Sequence, residues 1–497
     1  MTDAINIKNV ITHSLFTKEL DTNGDEPVKT VLSIVHVLRE ARCCYRCCLR
    51  FIGSITMEDY TASEQWIDRV CEELEKHSYK ATAINMNAEL PVSNMHRDHL
   101  LWIHVGDQLA LEHHDIRDLK NPFRHILGKC LTSRTGLSMD PEAPLRMNII
   151  IQHEPSASEH LFLTQAQNPV LKIRKVRQKR VWVTAGDGRP VIRQALNAID
   201  ADDARSLTAI PPLPVDIKPT LASIALMHAS CFVAARYIKL SREYSQTPWV
   251  IKGKRLTEHS VSDCIAPVVQ RYHRSDAYKF TTAGREDANV RMLGTGRPFY
   301  IEVINPRTPS DYLSKEDFEK MESEINQAPE TKEAVQIRHL TKVQPGDIEH
   351  IKQGEEFKQK TYRALIWMSD VLTDERIAEI NVQCSKPFKI LQNTPVRVFQ
   401  RRSAAIREKD IHYFHLERLP ATDAKDPANA HFAVLTLTTG AGAYVKEFVH
   451  GDLGRTQPNL ATIAQIKSAD LIELDVLHVD LEWPPNTPNP PPHIVHN

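Results

Sequence analysis

The stretch TTAGREDANVRMLGTGRPF, residues 281–299, carries the pattern on which the reading of the chain turns. Asp287 stands in it between Arg285 and Arg291, in a segment flanked by glycines. Nearby cations favour a carboxylate over its acid. Two readings are open at this point: a surface ion pair, or an ionised carboxylate poised to attack an electrophile. The Gly294-Thr295-Gly296 step further on lacks the third glycine of a dinucleotide fingerprint and the lysine of a phosphate-binding loop, so no nucleotide cofactor is indicated.

Around this stretch, apolar or β-rich runs such as ASCFVAARYI, RPFYIEVI, PVRVFQ, AVLTLTT and LIELDVLHVDLEW alternate with helical ones. They predict a mixed α/β block over residues 220–485. Inside it, Ser314 followed by Asp317 resembles a capping box, and Phe318, Met321 and Ile325 give the helix behind it an apolar face. The closing WPPNTPNPPPHIVHN is proline-dense, and residues 486–497 are expected to form a flexible tail.

Upstream, PPLPVDIKP (Pro211–Pro219) cannot continue a helix and predicts an inter-domain connection or an extended edge segment. The runs MNIIIQ and VWVTAG, punctuated by PEAP and GDGRP, suggest a compact α+β module over residues 71–215. Before it, Val28, Val31, Leu32, Val35 and Leu38 recur at helical spacing and predict an amphipathic helix leading into CCYRCC, within a first segment of residues 1–70. Three blocks also suit the 497 residues, at about 150 residues per domain.

Composition narrows the class of protein. Hydrophobic residues at 41% and charged residues at 25% exclude a collagenous, coiled-coil or wholly disordered chain. With 62 basic against 63 acidic residues, no global positive field advertises a nucleic-acid partner, so any such partner is met locally. No run of about 18 apolar residues occurs and Asp3 interrupts the opening MTDAINIKNV, which predicts an intracellular protein without membrane span or secretory signal.

Nine cysteines, an odd and sparse set, argue for reduced thiols. Cys44 and Cys47 have the C-x-x-C spacing that grips a tetrahedral zinc from one turn, yet a structural site needs two further ligands and a second C-x-x-C is missing. Cys71 is the nearest spare cysteine. His153-Glu154 and Glu159-His160 do not have the H-E-x-x-H spacing and read as surface residues, and Glu112-His113-His114-Asp115 reads as a solvated face. Basic residues cluster twice: Lys172, Arg174, Lys175, Arg177, Lys179 and Arg180 in KIRKVRQKR, and Arg397, Arg401, Arg402 and Arg407 in RVFQRRSAAIR. Either a solvated basic face or an RNA-phosphate footprint accounts for them, with Tyr362 and Tyr444 as available stacking surfaces.

GREDANVRMLGTGRPF, QTPWVIKG (246–253), KTYRALIW (360–367), LQNTPVRVFQRRSAAIR, AGAYVKEFVHGDLGRTQPN (441–459) and the closing ADLIELDVLHVDLEWPP occur in the order found in one family. Together they resemble the archaeal and eukaryotic tRNA pseudouridine synthases of the Pus-ten family from about residue 225 to Trp483. The resemblance implies an α+β protein: a pseudouridine synthase catalytic domain with a mixed central sheet and a cleft at its centre, preceded by an α+β accessory domain containing a THUMP-like module. It implies Asp287 as the catalytic aspartate, Lys446 as the basic residue that pairs with it, Tyr362 and Tyr444 as substrate contacts, and Arg285 as a group that helps fill the space left by an extruded base.

It further implies tRNA as partner, uridines 54 and 55 of the T-arm as targets, base flipping, and no cofactor for catalysis. A chain with its own accessory domain is expected to work as a monomer. Two departures stand out: the family's motif commonly reads GREDVDVR where Ala288 and Asn289 stand here, and its C-x-R-C at Cys44 to Cys47 has lost the second pair that completes a zinc site. An RNA-binding or RNA-processing scaffold with a vestigial cleft is the alternative that the divergent N-terminal half permits.

Overall fold

In the computed structural model, which describes residues 26–53, 64–111, 116–178, 181–185, 188–349, 351, 359–399, 402–419, 430–485 and 487, the chain divides into two units at His228/Ala229. Both are α+β.

Among its described residues the first unit holds six strands: β1 (Ala83–Glu89), β2 (Ser138–Met139), β3 (Leu145–Gln152), β4 (Arg174–Gln178), β5 (Val181–Ala185) and β6 (Thr220–His228). Their order is β2-β1-β3-β6, with β4 and β5 a separate hairpin. β1 runs parallel to β2 and β3, whereas β6 is antiparallel to β3. In β3, alternate residues Leu145, Met147, Ile149 and Ile151 are buried, the period-two pattern of a strand with one covered face. The helices Glu64–His77 and Lys120–Thr135 supply Ile67, Val70, Leu127 and Leu131 to the same core.

The expected amphipathic helix is present as Glu26–Glu40, with its buried face turned from the predicted one. Val31 and Leu38 are buried with Ile34 and Val37, while Leu32 is exposed. Trp102 and Val105 of the helix Ser93–Leu109 cover that face, so the partner helix selects the stripe. Arg50, buried here, pairs with Asp98.

Two further expectations are corrected. His153 and His160 are buried rather than on the surface: His153 meets Ser156 Oγ at 2.6 Å through Nδ1 and the Ile217 carbonyl at 2.9 Å through Nε2. Residues 220–228, placed with the C-terminal block on sequence, form β6 and complete the first sheet. PPLPVDIKP is therefore an extended segment within the first unit, held where Arg97 Nη1 donates to the Leu213 carbonyl at 2.8 Å.

The second unit is built on one mixed sheet. Its strands are β7 (Cys231–Lys239), β8 (Val250–Ile251), β9 (Lys254–Arg255), β10 (Ala277–Thr282), β11 (Val290–Ile304), β12 (Val335–Val343), β13 (Lys360–Met368), β14 (Phe388–Asn393), β15 (Ile406–Arg418), β16 (Phe432–Thr439), β17 (Thr456–Gln457) and β18 (Ala469–Val479). The sheet runs β12-β7-β11-β18-β13-β16-β15-β14-β17, with β10 beside β11 and β8–β9 a separate hairpin. Only the β11–β18 ladder among these pairs is parallel.

β11 begins against β18, bulges between Met292 and Arg297, and continues against β7 and β10. The Gly294-Thr295-Gly296 step is that bulge. Both glycines have positive φ, and a Cβ on Gly294 would lie 1.8 Å from the Leu477 carbonyl oxygen. Glycine is required there by backbone approach, which gives the motif a purely structural meaning.

The capping box closes as expected: Ser314 Oγ accepts from Asp317 N at 3.2 Å and Asp317 Oδ2 accepts from Ser314 N at 2.9 Å. Phe318, Met321 and Ile325 of the helix Lys315–Gln327 are buried, each stabilising by roughly 1.5–3 kcal/mol. The proline-rich ending is anchored at its start, where Trp483 is buried and donates from Nε1 to the Phe299 carbonyl at 2.9 Å. The expected tail lies outside the described residues except for Thr487.

Candidate active site

Residues 283–289 link β10 to β11, and burial alternates through them: Arg285 and Asp287 face outward, Glu286 inward. The inward side is a buried polar network. Glu286 Oε2 lies 2.6 Å from Arg297 Nε, both side chains being 1% exposed. Tyr237 Oη donates to Glu286 Oε1 at 2.6 Å and accepts from Gln246 Nε2 at 2.8 Å.

The same groups hold the loop's main chain. Arg297 Nη1 donates to the Ala283 carbonyl at 2.8 Å, and the Gly284 carbonyl accepts from Gln246 Nε2 at 3.1 Å and Thr282 Oγ1 at 2.7 Å. Gly284 has φ +81°, and a Cβ there would come within 2.8 Å of Lys360 Nζ. A buried ion pair is costly to break from one side, so this floor fixes where Asp287 stands.

Asp287 opens onto a cleft of about 1200 Å³ that also takes in Arg285, Tyr362, Arg397, Arg402, Tyr444 and Lys446. That volume exceeds the roughly 300–1,000 Å³ of ordinary small-ligand pockets and suits part of a larger molecule. Lys446, on the helix Val445–His450, donates from Nζ to Asp287 Oδ2 at 2.9 Å, with Asn289 Oδ1 at 3.5 Å. Arg397 Nη1 stands 3.8 Å from the same carboxylate oxygen. Burial pushes the Asp287 carboxyl up, but the hydrogen bond and charge of Lys446, with Arg397 and Arg285 beyond, outweigh it and hold the group below its ordinary 3.8.

The two tyrosines are set differently. Tyr362, in β13 between β16 and β18, has its phenol pushed up by burial against the opposing Arg297 charge and a Thr439 hydrogen bond, so it is neutral and available as donor or ring. Tyr444 precedes the Lys446 helix. Its main chain is clasped by buried Gln392, which accepts from Tyr444 N at 2.9 Å and donates to the Tyr444 carbonyl at 2.9 Å. Arg397 lies 5.8 Å from its ring centroid and is oriented by Glu447, whose Oε1 accepts from Arg397 Nε at 2.7 Å.

All five residues proposed on sequence for catalysis or substrate contact thus line one cleft. Of the basic residues, Arg402 lines it and is exposed, whereas Arg401 lies outside the described residues. Lys172 and Arg174 are exposed in the first unit, and Lys175 lies on β4. Sequence reasoning missed the buried layer of Tyr237, Gln246, Glu286 and Arg297 and gave Arg397 no place beside Asp287. The available signal was a charged or hydrogen-bonding residue set among apolar neighbours, as in VAARYIKL and GTGRPFY.

Cys44 and Cys47 belong to the first unit. Cys44 is exposed before the helix Tyr45–Phe51, and the Cys47 hydrogen bond lowers its thiol pKa. Cys71 packs in a different hydrophobic cluster. Among the described residues no group of three or more His, Cys, Asp or Glu side chains stands where it could hold one metal ion. Glu112–Asp115 lies outside the described residues.

Comparison with known families and proteins agrees along the chain. A family model described as "Pus10, C-terminal" matches residues 232–480, and one described as "Eukaryotic Pus10, N-terminal" matches residues 48–225. The tRNA pseudouridine synthase Pus10 of Mus musculus is 32% identical over 425 residues, covering 84% of this chain and 76% of that protein. The tRNA pseudouridine synthase Pus10 of Methanopyrus kandleri is 31% identical over 329 residues, covering 62% and 71%. Among solved structures, a chain of a Cbf5-Nop10-Gar1 complex aligns at TM-score 0.24 and 11% identity over 49% of this chain and 58% of that one, a likeness too slight to fix a fold.

Proposed function

The chain belongs to the Pus10 family, and from that premise we propose that it is a tRNA pseudouridine synthase, an isomerase in which Asp287 is the catalytic carboxylate. The observation that carries the reading is the carboxylate held ionised by Lys446 at the floor of a cleft flanked by Tyr362 and Tyr444.

The reaction asks for little else. The N1–C1′ bond of uridine breaks, the uracil turns, C5 bonds to C1′, the C5 proton leaves and N1 regains one. Composition and oxidation state are unchanged, so the scheme calls on no redox partner and no energy source. An ionised Asp287 serves either by adding to C1′ or by taking a ribose proton to give a glycal. The target base must leave its stack, at a cost of a few kcal/mol. Tyr362 offers it a ring or hydroxyl, Tyr444 borders the opening, and exposed Arg285 can enter the gap left behind.

We assign the T-arm uridines 54 and 55 as targets, and to the first unit a THUMP-like role in gripping the tRNA, with Lys172 and Arg174 on its solvent face as phosphate contacts. The test is to incubate an unmodified tRNA transcript with the purified chain and map pseudouridine. Conversion confined to the T-arm is expected, and a bound but unconverted transcript contradicts the reading.

A further inference from the structure

Lys239, the last residue of β7, is fully buried. Its ammonium reaches three main-chain carbonyls: Ala288 at 2.6 Å, Tyr244 at 2.9 Å and Asp287 at 3.4 Å. Three residues on, Arg242 donates from Nη1 to the Asn289 carbonyl at 3.1 Å and is itself held by Glu473 and Asp475 at 2.6 and 2.8 Å. Three successive carbonyls, those of residues 287, 288 and 289, are therefore gripped by two cations of one short segment. Neither cation lies on the loop that carries Asp287.

We propose that Lys239 is a positioning residue for the reaction assigned above, acting through the main chain of Asp287 to set the carboxylate against Lys446. The inference rests on the reading of Asp287 as the catalytic carboxylate. The match is chemical: an ammonium has three protons and no acceptor, and three carbonyls surround it. A neutral amine would offer two protons and turn a lone pair toward the third oxygen. Burial pulls the Lys239 ammonium down to about 8, opposed by Glu286 and Asp287 and reinforced by Arg242 and Arg297. A buried cation is thus retained against its desolvation to hold this loop.

The fold depends on it less than the loop does. The Asp287 carbonyl also accepts from Val290 N at 3.1 Å, and Glu286 is held independently by Arg297 and Tyr237. Loss of the ammonium frees the segment 287–288 while the floor beneath it stays. Misplacement of a reacting group by about 1 Å can cost about 10²-fold in rate.

The test uses the full chain as wild type, Lys239→Met, Lys239→Gln and Asp287→Asn on an unmodified tRNA transcript. Single-turnover conversion, tRNA affinity and unfolding midpoint are measured for each. Lys239→Met is expected to convert about 10²-fold slower with affinity within about twofold of wild type, and Lys239→Gln to fall between, because its amide keeps two N–H donors. A Lys239→Met rate within about threefold of wild type overturns the proposal, as does a parallel loss of rate and affinity, which marks a general structural role. If Lys239→Met does not fold, Lys239→Gln is held to the same limits. Wild-type protein that converts no uridine overturns the reading of Asp287 and this proposal with it, an outcome distinct from a slow variant beside an active wild type.

Discussion

Lys446 and Asp287, 159 residues apart in sequence, meet at 2.9 Å across the cleft. One comes from a loop between two strands and the other from a six-residue helix whose preceding main chain Gln392 clasps. The pairing is therefore a product of the whole second unit.

Removal of that cation should show in the pH profile. Asp287 is depressed below 3.8, so its ionised form is present above its folded pKa and is lost only as the pH falls through that low value. Wild-type single-turnover rate should carry no Asp287 limb above about pH 5. In Lys446→Met the upward push of burial is left less opposed, the carboxyl pKa rises, and an acid limb should move into the measurable range, with a loss at neutral pH of about 10²-fold. An unmoved profile would contradict the role given to Lys446.

Asn289 offers a gentler probe of the same ammonium. With Asn289 Oδ1 at 3.5 Å from Lys446 Nζ, Asn289→Asp brings a second carboxylate to share the cation and repel Asp287. The acid limb should rise while the rate at about pH 8 changes by less than about threefold. Superimposable pH–rate curves for the two proteins count against this.

Glu286 should matter to stability first. Glu286→Gln leaves the buried Arg297 guanidinium without its counter-charge and should cost about 3–5 kcal/mol, read by urea unfolding. A cost under about 1 kcal/mol would mean that the pair is not the floor of the loop.

How much of this was legible in the sequence differs by residue. Asp287, Lys446, Tyr362 and Tyr444 were marked by the resemblance of ordered motifs to one family, whereas the Ser314–Asp317 cap was legible from local spacing, a signal written in neighbouring residues. Which face of the Glu26–Glu40 helix is buried was not legible, since Trp102 decides it from another helix. The unit boundary after β6 was hidden because β6 is assigned by pairing with β3, about 70 residues earlier. Lys239 and Glu286 were invisible for a related reason: a charge inside an apolar strand, or beside a more conspicuous aspartate, acquires meaning only when its distant partners are in place.

Tyr362 should act through its ring more than its hydroxyl. Stacking on an aromatic is worth about 1–3 kcal/mol per base. Tyr362→Ala should therefore slow conversion by roughly 5- to 150-fold, and Tyr362→Phe should keep most of the rate. Equal losses in the two variants would assign the function to the hydroxyl instead.

The most direct test of the central claim is Asp287→Asn against wild type on one unmodified tRNA transcript, with pseudouridine mapped and tRNA affinity measured on the same preparations. The asparagine keeps the shape and removes the charge. The account predicts T-arm pseudouridine with wild type, none with the variant, and affinities within about threefold of each other. Conversion by Asp287→Asn at the wild-type rate would contradict it.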